Sequence, residues 1–270
     1  MENIKVHVLH TGDVYIDQSL AFREKTMHPL PYSGWLRKKS KKHWVPVSAY
    51  LIEHPKGLIL VDTGWHEDMR INQRKHLGFL PSTMYKGRLP AGQSIREQLQ
   101  ARGIKDTDLD YVILTHLHSD HVSGIKHVKN AKRIITSEPE WKAAQKDFGY
   151  IPSMWAGINI EALKYQEIPY GPFKLGLDLF NDGKIFLIHT PGHSKGLMSV
   201  FIKTSKGWVL LASDVGYAEK SWKENVLPGV TPEKENAQAS LEWVRKVTIS
   251  GDSIMTIFNH DPKISPQTIE

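Results

Sequence analysis

The sequence predicts an α/β protein made of two similar halves packed face to face, and three observations carry that expectation. Short β-branched runs alternate with segments of helical periodicity along the chain. A strand, Lys-Gly turn, strand pattern occurs at 50–61 and again at 200–211. Each copy runs into an aspartate shortly afterwards, Asp62 and Asp214, at offsets that differ by two residues. A chance match of two hairpins is the alternative, because Lys-Gly turns are common. With 270 residues, the chain can bury a core without covalent staples, and no linker rich in Gly, Ser or Pro divides it, so one domain over 1–270 is expected.

The elements follow in order. Val45 to Ile52, the turn at Pro55-Lys56-Gly57, and Leu58 to Val61 read as a hairpin that ends in Asp62-Thr63-Gly64. The spacing predicts a helix around 94–102: Ser94 caps it, Glu97 completes a capping box, Ile95 and Leu99 share a face, and Gly103 stops it. Tyr111 to Leu114 is too short and too β-branched for a helix and reads as a buried strand; Lys184 to Ile188 is another. Val200 to Ile202 and Trp208 to Leu211 form the second hairpin around Ser205-Lys206-Gly207. A late helix begins at Thr231-Pro232-Glu233, with Ala237, Leu241 and Val244 on its inner face.

Composition removes several classes of function. The 40% hydrophobic and 24% charged residues match a globular protein. No apolar run approaches the roughly 20 residues of a membrane span. The opening residues show no basic segment followed by an apolar core, so no signal peptide and a cytoplasmic location are expected. Cysteine is absent, which excludes disulfides, thiolate metal sites and cysteine nucleophiles. The net charge is +6, and the basic residues cluster once, at Arg37-Lys38-Lys39-Ser40-Lys41-Lys42-His43. That run reads as a solvated loop rather than a phosphate or nucleic-acid patch, because no nucleic-acid module accompanies it.

Directly after the strand at 111–114 comes Thr115-His116-Leu117-His118-Ser119-Asp120-His121. Strand alternation points His116 and His118 the same way, and the loop turns Asp120 and His121 toward a neighbouring point. Imidazole and carboxylate suit a borderline divalent ion such as zinc. A polar surface loop rich in histidine is the bland alternative, and three histidines with an acid at this spacing argue against it. His193 (in Pro191-Gly192-His193), Asp214 (in Ser213-Asp214) and His260 (in Asn259-His260-Asp261) each stand where a strand becomes a loop. Alone, each would more often be a structural side chain; together they extend the metal reading. Nine histidines stay outside this scheme, and His189, four residues before His193, could point along the same side or into the sheet.

His116-x-His118-x-Asp120-His121, followed in order by Pro191-Gly192-His193, Ser213-Asp214 and Asn259-His260-Asp261, resembles the metallo-β-lactamase superfamily. The resemblance implies a four-layer αβ/βα sandwich with two divalent metal ions, zinc being the expected pair, at one edge of the paired sheets. By position, His116, His118 and His193 would hold the first metal, Asp120, His121 and His260 the second, and Asp214 would bridge both. Asp62 would orient a ligand from behind or cap its own turn.

Tyr217 follows Asp214 by three residues. Val45 to Pro55, Asp62-Thr63-Gly64, Ser213-Asp214 and Tyr217 together look like the quorum-quenching N-acyl-homoserine lactonases. That resemblance implies lactone opening by a hydroxide shared between the metals, with Tyr217 and the first metal stabilising the oxyanion. The second metal takes the ring oxygen, and Asp120 delivers its proton. The expected partner is a small-molecule lactone, with no membrane, no nucleic acid, and a homodimer left open. A phosphodiesterase, nuclease or thioester hydrolase on the same dinuclear site is the competing enzyme reading, and a vestigial metal-binding regulatory protein the non-enzymatic one. The segment 65–93 and the aromatic residues Trp155, Tyr165, Tyr170 and Phe173 fall where substrate loops are expected.

Overall fold

Three apolar cores separate four layers. The computed structural model describes residues 3–28 and 30–270; Met1 and Glu2, where the reading of a leaderless start begins, and Pro29 lie outside the described residues. In chain order the strands are β1 (Lys5–Asp17), β2 (Lys42–His54), β3 (Gly57–Val61), β4 (Lys86–Arg88), β5 (Tyr111–Ile113), β6 (Arg133–Ser137) and β7 (Glu161–Leu163). They continue with β8 (Gln166–Glu167), β9 (Leu175–Asp178), β10 (Ile185–His189), β11 (Met198–Lys203), β12 (Trp208–Ser213), β13 (Met255–Phe258) and β14 (Gln267–Ile269). Among the described residues, one sheet of eight strands runs β14-β1-β2-β3-β5-β6-β7 with β4 beside β1, and a second of six runs β13-β12-β11-β10-β9-β8.

The strand alternation of the sequence decides which face meets which core. Along β2, Tyr50 and Ile52 point to the layer between the sheets, while Ala49 and Leu51 point outward. Along β10, Ile185 and Leu187 meet that same central layer, and Phe186 and Ile188 face away from it. The central core thus joins Val6, Ile59, Val61 and Ile113 of the first sheet to Val200, Val209, Leu211 and Ile257 of the second. Helix Ile95–Gln100 and residues Val122, Ile125 and Val128 cover the outer face of the first sheet. The 17-residue helix Lys234–Ser250 covers the second with Ala237, Leu241, Val244 and Val247.

The two halves echo one another as the sequence implied. Hairpin β2–β3 continues into the parallel strand β5, and hairpin β11–β12 into the parallel strand β13. Ser94 accepts the Glu97 N–H and the Glu97 carboxylate accepts the Ser94 N–H, so the expected capping box is present. The late helix starts later than its Thr-Pro-Glu signature suggests. Its first turn is Lys234, no side chain caps it, and the Thr231 hydroxyl instead donates to the Pro228 carbonyl at 2.7 Å.

The basic run divides in two. Lys38, Lys39, Ser40 and Lys41 are exposed, as a solvated loop requires, but Arg37 turns inward. Its guanidinium donates to Asp17 at 2.9 and 3.1 Å and to Glu24 at 2.9 Å. Asp17 caps helix Gln18–Ala21 through Ser19 and is cut off from water, so its charge needs a partner. Burial pushes the Asp17 carboxyl up, yet the Arg37 and Ser19 donors outweigh it and hold the carboxyl below its usual range. A carboxyl held lower in the folded than in the unfolded chain adds stability above the unfolded pKa and loses it as pH falls. Arg37→Ala should therefore destabilise the protein by about 3 kcal/mol at neutral pH. In urea titrations that deficit should shrink as pH falls below the unfolded carboxyl value of about 3.9 and on through the lower folded one.

Candidate metal centre

Four strand ends deliver the site to one edge. The loop after β5 carries His116 and His118, and the short helix Ser119–Val122 carries Asp120 and His121. The β10–β11 loop brings His193, the residue after β12 is Asp214, and His260 follows β13 by two positions. Ligands gather at strand ends because loops there converge while the sheet holds their roots rigid. The left-handed backbone of Gly192 (φ 135°) lets the His193 loop pass against Ala237, where a Cβ would lie 2.3 Å from the Ala237 Cα.

All seven predicted ligands converge. His118 Nδ1 lies 2.9 Å from His193 Nε2. Asp214 stands between the two expected sets: its carboxylate lies 3.3 Å from His121 Nε2, 3.4 Å from His260 Nε2 and 3.5 Å from His193 Nε2. Asp120 Oδ2 lies 3.4 Å from His260 Nε2. The donor atoms form three groups, His116-His118-His193, His116-His121-Asp214 and Asp120-His121-His260, each within 4.8 Å. The Nε2 atoms of His116, His121 and His260 and one Asp214 oxygen are buried and unpaired with any protein hydrogen-bond partner. Orphaned lone pairs that share one focus fit divalent cations, and the all-nitrogen and oxygen donor set fits a borderline ion.

The electrostatics point the same way. Burial holds the imidazoles of His116 and His118 below their ordinary range, with His193 down to about 4, so each presents a neutral lone pair. Burial also opposes charge on His121 and His260, but there the carboxylates win. Asp214 and Asp62 raise His121 well above its ordinary value, and Asp214 with Asp120 raises His260. Burial alone would raise Asp214; the neighbouring His260 and His121 drive it well below the usual carboxylate range. The carboxylates demand positive charge at this spot, which a divalent cation is suited to supply.

A layer of donors and acceptors fixes the ligands from behind. Asp62 accepts from the Thr115 N–H at 2.8 Å and the Thr115 hydroxyl at 2.9 Å, and lies 2.8 Å from His121 Nδ1. Asp62 makes these contacts from left-handed backbone (φ 58°), a conformation costing about 1 kcal/mol or more. Ser213, also left-handed (φ 49°), donates to the Thr115 hydroxyl at 2.9 Å and so ties the second sheet to the first. His260 Nδ1 meets the Pro46 carbonyl at 2.8 Å, which leaves its Nε2 for the site.

The sequence reading missed Glu140. Fully buried, its carboxylate accepts from the Leu117 N–H (3.0 Å), the Tyr150 hydroxyl (2.9 Å), the Ser194 hydroxyl (2.6 Å) and the Gly196 N–H (3.1 Å). One carboxylate thus braces the loop of His116 and His118 against that of His193. Ser137-Glu138-Pro139-Glu140 has the form of a helix cap, and Ser137 does accept the Glu140 N–H; that signature hides the inward turn of the acid.

A cavity of about 200 Å³ opens on the cluster. His118, Asp120, His193, Asp214 and Tyr217 form its polar end, and Val14, Ile16, Leu20, Met84 and Val230 its apolar wall. Tyr217 is buried and stacks on His260 with ring centroids 4.8 Å apart. Burial, then the charges of Asp214 and Asp120, push its phenol well above the ordinary range, so it remains a donor. Met84 and Tyr85 bring the 65–93 segment to the cavity, as expected, with the Tyr85 hydroxyl 2.8 Å from Ser119 Oγ. The four aromatic residues assigned to substrate loops do not line it. Trp155 is buried in the first outer core, the Tyr165 hydroxyl donates to the Gly196 carbonyl, and Tyr170 packs on Phe186 and Phe201. Phe173 lies 6.0 Å from His189 in ring-centroid distance. His189 packs on Tyr165 rather than joining the cluster.

A four-layer sandwich with this edge cluster defines a metal-binding hydrolase fold, and comparison with known proteins gives it a family. The model of the metallo-β-lactamase superfamily matches residues 44–253, and the chain belongs to that superfamily and to its hydrolase enzymes. It is 30% identical to an N-acyl homoserine lactonase of Bacillus cereus, over 80% of this chain and 82% of that one. It is 28% identical to the N-acyl homoserine lactonase AttM of Azorhizobium caulinodans, over 82% of this chain and 84% of the other. Among solved structures, an AiiA variant of B. thuringiensis with N-decanoyl-L-homoserine at its active site superposes with a TM-score of 0.79. It is 26% identical and aligns over 97% of this chain and 95% of its own.

Asp62→Asn removes the charge behind His121 while keeping its shape. Competition with a chelator should show metal affinity falling about 10–100-fold with the fold intact.

Proposed function

We propose that this chain is a single-domain, metal-dependent lactonase, and that N-acyl-homoserine lactones are its substrates. The observation that carries the reading is the pairing of a seven-residue His/Asp cluster, five of its members buried, with an apolar cavity at whose polar end Tyr217 stands. The lactonase names of the relatives at 28–30% identity support it. So do the acyl-homoserine molecules bound in the solved structures named AiiA and N-acyl homoserine lactone hydrolase.

In this reading His116, His118 and His193 hold one cation, Asp120, His121 and His260 a second, and Asp214 faces both; zinc suits the donor set. Such a pair, when bound, supplies Lewis acidity toward a carbonyl oxygen and lowers the pKa of water toward neutrality. The chain's own groups do the rest. The apolar wall holds an acyl chain and keeps bulk water out. The Tyr217 hydroxyl donates to the lactone carbonyl oxygen as negative charge grows on it during attack by water at the carbon. The ring C–O bond then breaks, and Asp120, partly exposed at the cavity, passes to the departing alkoxide the proton it takes from the attacking water; the water's second proton leaves to solvent, and the products are a carboxylate and an alcohol on one molecule. A phosphodiester reading gains nothing from the cavity, whose described lining includes no lysine or arginine.

The test is a panel of acyl-homoserine lactones of several lengths, simple lactones, a thioester and a phosphodiester, assayed on zinc- and cobalt-loaded protein. Acyl-homoserine lactones should be turned over fastest, and a faster phosphodiester or thioester would overturn the reading. Tyr217→Phe should lower lactone kcat about tenfold, equivalent to about 1.4 kcal/mol of transition-state stabilisation, with metal content unchanged.

A further inference from the structure

A second cluster of imidazoles sits where the segment after Asp62 meets the segment after His121. The rings of His66 and His127 stack with centroids 4.2 Å apart, and those of His66 and His76 lie 5.4 Å apart. Asp68 Oδ2 is 3.3 Å from His66 Nδ1 and 3.7 Å from His76 Nδ1. Charge-assisted hydrogen bonds close to about 2.7–2.9 Å. Ligands held at about 2.0–2.1 Å around a tetrahedral ion stand roughly 3.3–3.4 Å from one another. The His66–Asp68 distance matches that second pattern, as do the 3.3, 3.4 and 3.5 Å separations around Asp214, and the 3.7 Å from Asp68 to His76 is a few tenths wider.

The surroundings support ligation. His76 Nε2 lies 2.7 Å from the Ser123 hydroxyl, which leaves Nδ1 as the nitrogen that faces Asp68. The His66 backbone N–H donates to the same Ser123 oxygen at 2.9 Å, so one hydroxyl anchors the His66 backbone and the His76 ring. His66, Asp68 and His76 line a cavity of about 360 Å³, so an ion has a way in. Lys126, on the same wall, points its ammonium at the Ser153 carbonyl at 2.9 Å. Burial holds His66 and His76 below the ordinary range, which keeps their lone pairs available at neutral pH. His66 Nδ1 also accepts the Asp68 N–H at 3.1 Å, a long bond that an ion must displace.

We propose that His66, Asp68 and His76 form a second metal site, separate from the central cluster, for a divalent ion that prefers imidazole, such as zinc. None of its donors belongs to the central cluster. Its ligands span the short helices Asp68–Ile71 and Gln73–Leu77, and its anchor Ser123 lies two residues beyond His121. An ion there would clamp the 66–76 segment onto the stretch that carries Asp120 and His121. The displaced Asp68 N–H makes it the weaker of the two sites.

Equilibrium dialysis of the full-length chain against micromolar zinc, with metal and protein counted, tests this. Asp68→Ala and His76→Gln should each hold one zinc equivalent fewer than the unmodified protein, and zinc should raise their thermal midpoints less. Asp68 is exposed, so its loss leaves packing intact, and circular dichroism checks that both variants fold. His116→Ala in the central cluster should lower the count independently, and the deficits should add in the combined variant. Equal zinc counts in the unmodified protein and in both folded peripheral variants would overturn the proposal, whatever the central site holds.

Discussion

Everything at the working edge of this protein depends on one constraint: carboxylate and imidazole groups withheld from water must find positive charge and donors among themselves. Asp214 is buried between two apolar sheets with three imidazoles around it and an unpaired oxygen. In such a medium an isolated carboxylate is ruinous, and a charge paired only in part costs several kcal/mol. Divalent cations would remove that cost, and lone pairs left without partners at one focus fit them.

Rigidity around the site is assembled from the same economy of buried groups. Asp62 and Ser213 both adopt left-handed backbone, each at the end of the second strand of its hairpin or directly after it, and both meet at the Thr115 hydroxyl. The strain at two positions is held by a continuous buried chain, Ser213 to Thr115 to Asp62 to His121. Glu140 ties that same loop after β5, through Leu117, to the loop of His193. Neither brace touches the focus of the site, yet each determines where a ligand nitrogen stands.

Much of this was legible in the sequence, for physical reasons that differ by residue. Strand alternation at 50–61 and 185–188 reports burial directly, so sheets and cores follow from it. The spacing His116, His118, Asp120, His121 is local, and local geometry converts it into convergence. Asp214 and His260 meet their partners from separate loops, His260 reaching Asp120 from the far end of the chain, and the family pattern, not periodicity, connected them. Glu140 was invisible because a Ser-x-x-Glu cap and a buried brace share one signature. Arg37 was invisible because a basic run gives no sign of which member meets a buried acid. Trp155, Tyr165 and Tyr170 misled because a large aromatic fills a core as readily as it lines a cavity.

The two halves supply the centre unequally, and that asymmetry has a structural consequence. The first half gives His116, His118, Asp120 and His121 from one short stretch, whose relative positions a single loop and helix turn can fix. The second gives His193, Asp214 and His260 from three separate loops, so their distances to the first set are set by how the sheets pack. Ile59, Val61 and Ile113 of one sheet share a single buried cluster with Val209, Leu211 and Ile257 of the other. A core of that density moves as a block, and a shift of one sheet by even an ångström would carry Asp214 away from His121. The precision of the centre is therefore a property of the apolar layer between the sheets, with the polar braces correcting each loop against it.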